Sequence, residues 1–123
     1  MISLDFGNSL RIFQDNGEWR LNGCGRIYPL VVKSDFKRVV SLLESPYQVI
    51  REILGDGFPY VRVVEAGLNS GSDYWVELAL CWMKKMPQKD LNELRVGVNG
   101  LLAERLISKE NSEILRKIYD QNK

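Results

Sequence analysis

The chain has 123 residues, of which 17 are basic and 16 acidic, and 45% are hydrophobic. That size and balance predict one domain spanning 1–123 around a single core, and they exclude a disordered or fibrous chain. Charge is even along the chain as well, seven of each sign up to Val61 and then ten basic against nine acidic, so neither half carries the positive field of a nucleic-acid-binding protein.

No apolar run approaches the roughly 18 residues that span a bilayer. The opening Met1-Ile2-Ser3-Leu4-Asp5 has no basic leader, which points to a cytoplasmic protein. Cys24 and Cys81 stand far apart with no metal-ligand spacing, and free thiols are the expectation. Histidine is absent, which removes the commonest general base and the commonest metal ligand together. No cofactor or metal is expected.

In chain order, Ser9 to Gln14 reads as a first strand. Asp15-Asn16-Gly17 follows as a tight hairpin turn, because Asn-Gly takes the left-handed conformations that such a turn demands. Glu18 to Leu21 and Arg26 to Val32 complete a meander around the turn Asn22 to Gly25, with Pro29 marking an edge strand or bulge. Ser34 is placed to cap a helix whose stripe is Phe36, Val39, Val40 and Leu43. Ser45 with Gln48 fits a capping box for a second helix, which Pro46 opens and Gly55 stops.

Tyr60 to Met83 reads as a central β-hairpin. Tyr74, Val76, Leu78, Leu80 and Trp82 alternate onto a core face, and Trp75, Glu77, Ala79, Cys81 and Met83 onto a mixed face. Pro87 opens a third helix with Leu91, Leu94, Val98, Leu101 and Leu102 on one side. Gly97 and Gly100 inside it point to close packing, or to a kink or a helix crossing in a dimer. Ser108 caps a last helix carrying Ile114, Leu115, Ile118 and Tyr119. The order βββααββαα predicts an α+β domain, with helices on one face of a largely antiparallel sheet.

Candidate chemistry is sparse. Cys24 lies in a glycine-flanked turn two residues before Arg26, yet a nucleophilic thiol needs a partnering base and there is no histidine to serve. Glu65 and Glu77, read as cross-strand neighbours, would be the minimum pair for acid–base work on a glycoside, and a solvated sheet face is the plainer assignment. Neither glycine-rich turn matches a phosphate-binding loop.

Ala103-Glu104-Arg105-Leu106-Ile107-Ser108-Lys109 resembles the first half of a helix-turn-helix motif. Counting from Ala103, the turn glycine is replaced by Ile107, and the two later packing positions are the charged Glu113 and Arg116. The order of elements also resembles that of type III secretion chaperones, small dimers that hold an unfolded effector segment against a sheet. Those begin with a helix and are acidic, and this chain does neither.

A small non-enzymatic binding protein is the expected function, most concretely an immunity- or antitoxin-type inhibitor that meets a toxin or effector protein, with a homodimer allowed. Trp75, Glu77, Met83, Trp19 and Arg62 are the expected contact residues. The alternative is a single-stranded nucleic-acid platform in which Trp75, Trp19 and Tyr60 stack bases beside Arg62, Arg20 and Arg11. A secretion-chaperone-like dimer is the third reading.

Overall fold

The computed structural model describes residues 2–7 and 9–121. The chain is an α+β fold in which all strands come first. β1 (Ser3–Phe6), β2 (Leu10–Asp15), β3 (Glu18–Gly23) and β4 (Arg26–Pro29) form one antiparallel sheet in sequential order. A 3₁₀ segment (Lys33–Glu44) and five helices follow: α1 (Tyr47–Leu54), α2 (Tyr60–Leu68), α3 (Asp73–Met83), α4 (Gln88–Ala103) and α5 (Lys109–Gln121).

The meander is built by its turns. Asn16 and Gly17 have φ 53 and 81, the paired left-handed residues of a two-residue hairpin, and Cys24 and Gly25 repeat the device at φ 54 and 84. β1 went unread in the sequence, although Leu4 and Phe6 alternate with Ser3 and Asp5. It pairs with β2, aligning Leu4, Ile12, Leu21 and Tyr28 across four strands on the inner face. The outer face carries Asp5, Arg11, Phe13, Arg20 and Ile27. β4 ends at Pro29, three residues short of the expected Val32.

The 3₁₀ segment is kinked at Val39 and starts from Val32 rather than Ser34. Asp35 supplies the cap by reaching back, its Oδ2 accepting from the amides of Val31 and Val32 at 2.9 Å each. α1 begins after Pro46 with no side-chain cap, so the capping box from Ser45 does not form, and Gly55 at φ 80 ends it as expected. Ser108 does cap α5, its Oγ accepting from the amide of Asn111 at 3.2 Å.

The largest correction concerns Tyr60 to Met83, which forms α2 and α3 and contains no strand. Buried Tyr60, Val63, Val64, Gly67 and Leu68 follow helical spacing, as do Val76, Ala79, Leu80 and Met83. Alternation misled because α3 is apolar nearly all round, and such a segment fits period two and period 3.6 equally. The order βββααββαα is accordingly replaced by four strands followed by helices.

One core joins sheet and helices. Trp19 and Phe36 stand edge-on to Phe58 at 5.0 and 6.3 Å, and Phe58, Tyr60, Tyr47 and Trp82 continue the aromatic chain inward. α2 sits centrally, against the 3₁₀ segment, α3 and α4. Gly67 makes its crossing with α3 possible: a Cβ there would lie 3.1 Å from the Trp75 carbonyl oxygen and 3.2 Å from Ala79 Cβ. Gly97 and Gly100 are the opposite case. Both are exposed on α4 with nothing within 4 Å of an added Cβ, so the close packing expected of them is not made within this chain.

Candidate functional site

The five expected contact residues do not share a face. Met83 and Trp19 are core, the first fully buried and the second 8% exposed with its Nε1 donating to the Gly57 carbonyl at 3.3 Å. Arg62 is exposed on α2 and pairs with Glu65, which also takes Lys33. Glu77 is exposed on α3, and Trp75 is partly buried. The hairpin face that was to unite them is absent, because in a helix seven residues make almost two full turns. Trp75 and Trp82 therefore share a side of α3 rather than opposing each other.

The residues expected to stack nucleic-acid bases are also scattered. Trp19 and Tyr60 are buried. Arg11 and Arg20 lie on the outer sheet face, tied to Asp5 at 2.6 Å and Glu18 at 3.2 Å. Glu65 and Glu77 sit on separate helices and form no cross-strand pair. Cys24 and Cys81 are free and exposed.

The structure assembles a different surface on α3 and the 3₁₀ segment. Tyr74 is 52% exposed, its ring edge-on to Trp75 at 4.9 Å and its hydroxyl donating to Glu44 Oε2 at 2.6 Å. That bond to an acceptor carboxylate raises the pKa of the Tyr74 hydroxyl. Two grooves flank this aromatic pair. One, of about 350 Å³, runs between Lys37 and Val40 on one wall and Ala66, Ser72 and Trp75 on the other. The second, of about 340 Å³, is lined by Leu43, Pro46, Leu78, Cys81, Trp82 and Lys85. Trp82 is anchored at its back, Nε1 donating to the Ser45 carbonyl at 2.9 Å. Tyr74, Leu78 and Cys81 fall at i, i+4 and i+7 on one side of α3, with Leu78 half-buried between two exposed residues, and Lys85 follows just beyond the helix at the second groove. Sequence reading found Trp75 and missed Tyr74, which the period-two pattern had assigned to the core.

A larger cleft of about 640 Å³ lies around the α1–α2 turn and the start of α4, where Arg51, Asp56, Arg62, Lys89, Asp90 and Glu93 mix charges of both signs. Arg51 donates to Asp56 at 2.8 Å and to the Tyr47 hydroxyl, and its guanidinium stands 5.6 Å from the Tyr60 ring centre. Burial pushes the Tyr60 hydroxyl up to about 12, against the pull of Arg51, and burial with help from Glu93 raises Asp90. The cleft's cations thus have partners or carboxylate neighbours. Among the described residues no group of three potential metal ligands occurs, and no helix is long and apolar enough to cross a membrane. Comparison with known protein families, with curated proteins and with solved structures finds no match.

Proposed function

We propose that this chain is a non-enzymatic protein whose work is to bind another protein, most concretely as an immunity- or antitoxin-type inhibitor, through the ridge formed by Tyr74, Trp75 and Leu78. The observation that carries the proposal is the half-exposed Tyr74 ring beside Trp75, with Trp75 lining one groove and Leu78 and Trp82 lining the other. Exposed aromatics on a rigid element make good interface anchors, because they bury a large area and surrender few rotamers. Lys37, Glu44 and Lys85 at the groove rims would supply the polar border typical of such interfaces. The absence of histidine, the usual partnering base of a nucleophilic thiol, supports a non-catalytic role. A reducing compartment such as the cytoplasm suits two exposed free thiols.

The test is site-specific photo-crosslinking in the cell. A benzoylphenylalanine at position 74 should trap one defined protein, and the same probe at Val96, an exposed α4 position, should not. Identical products from both positions, or none from position 74, would defeat the proposal.

A further inference from the structure

We propose that the turn between α4 and α5 is a binding site for a small phosphate monoester, independent of the α3 ridge. The site is a recess of about 330 Å³ lined by Leu102, Arg105, Ile107, Lys109, Ser112 and Arg116. That volume lies at the small end of the range for small-molecule sites, about 300–1,000 Å³.

Three of its six residues are cations and none is an acid. Lys109, Ser112 and Arg116 stand at i, i+3 and i+7 and so share one side of α5, while Arg105 joins them from the turn. Among the described residues, Arg105, Lys109 and Arg116 have no carboxylate within ion-pair distance, a condition they share with Arg26, Lys37, Arg38, Lys84, Lys85, Lys89, Arg95 and Lys117; what sets the three apart is that they line one recess. Three like charges around one recess repel one another, and an anion between them reverses the sign of that interaction. Guanidinium forks match phosphate oxygens two at a time, and Leu102 and Ile107 offer apolar wall to the organic part of an ester.

A second observation comes from the backbone. Arg105 has φ 56, its amide bonding the Leu102 carbonyl, and the Leu106 amide bonds that of Leu101. This is the helix-ending motif whose left-handed position glycine fills at least cost. Arg105 takes that position although glycine would be less strained there, and from it lines the recess. Exposed Glu104, Glu110 and Glu113 adjoin the lining residues in sequence without lining the recess. Glu113, at i+4 from Lys109 and i−3 from Arg116, borders the recess on the same side of α5, which limits the site to a small anion and disfavours an extended nucleic-acid strand.

The experiment is titration of the full chain with phenyl phosphate, followed by calorimetry and ³¹P line broadening, at ionic strength held constant with sodium chloride. Saturable binding is expected. Arg116→Gln should weaken it about tenfold, the loss of one charge-assisted contact. Arg105→Gly should weaken it similarly while raising the melting temperature, so that loss of binding is not loss of fold. Lys33→Gln, on the 3₁₀ segment, should bind as wild type. The proposal is overturned by any of three results: no saturation beyond sodium chloride, unchanged affinity in both arginine variants, or benzoate or oligothymidylate binding as tightly as phenyl phosphate.

Discussion

The same substitution, glycine to alanine, should have opposite signs at two helical sites of this protein. In α4 an alanine at Gly97 meets nothing within 4 Å and gains the helix propensity that glycine forfeits, about 1 kcal/mol. In α2 an alanine at Gly67 gains the same amount but puts its Cβ 2.6 Å from Leu43 Cδ1, 3.1 Å from the Trp75 carbonyl oxygen and 3.2 Å from Ala79 Cβ. Leu43 can swing away, being the end of a flexible side chain. The carbonyl and Ala79 belong to α3, so the two helices must separate, and overpacking of this kind costs about 1–3 kcal/mol. Gly67→Ala should therefore fall below wild type by up to about 2 kcal/mol after the propensity gain is subtracted. Gly97→Ala should rise above it by about 1, or roughly 4 °C in melting temperature. Urea denaturation followed by far-ultraviolet circular dichroism reads both. A Gly67→Ala protein at least as stable as wild type would refute the α2–α3 crossing. A destabilised Gly97→Ala would show that the α4 surface is buried against another molecule, as the helix-crossing dimer reading of the sequence requires.

Three further outcomes are expected. Trp82→Ala should cost about 3–5 kcal/mol in the same assay, since the ring is 2% exposed and its Nε1 anchors Ser45, while Tyr74→Ala should cost less than about 1. Stability should fall as pH rises from about 10 to about 12, because the folded Tyr60 hydroxyl holds its proton up to about 12 while the unfolded one releases it near 10.0. Below 10 that contribution is complete, and Tyr60→Phe should flatten the alkaline limb of a stability–pH curve; an unchanged limb would show that Tyr60 is not the group responsible. Cys24→Ser should leave folding and any cellular activity unchanged, since Cys24 is exposed in its turn, and loss of activity in a folded variant would place the thiol in the function.

How far the sequence reveals this fold depends on how local each signal is. Asn16-Gly17, Gly55 and Ser108 were legible because turn and cap chemistry acts within four residues. The α4 and α5 stripes were legible because their large apolar residues, the exposed Val96 apart, gather on one side. α2 and α3 were not, since Tyr60 to Leu68 is rich in β-branched valine and Trp75 to Met83 is apolar everywhere except at Glu77. Central burial, which makes such a composition favourable in a helix, is a property of the tertiary structure. The binding surface suffered from the same error: one wrong period moved Tyr74 into the core, Met83 out of it, and Trp75 and Trp82 to opposite faces. Arg105 could not be singled out either, because nothing in Ala103-Glu104-Arg105-Leu106 announces a left-handed arginine.

The α3 ridge is the proposed protein-binding surface. The direct measurement is the affinity of the purified protein trapped from position 74 for wild type, Tyr74→Ala and Trp75→Ala chains, with each variant's melting temperature recorded alongside. Each aromatic truncation should weaken binding about 30-fold or more, the scale of an interface hot spot, while the chain stays folded at the assay temperature. Wild-type affinity in both folded variants would contradict the proposal.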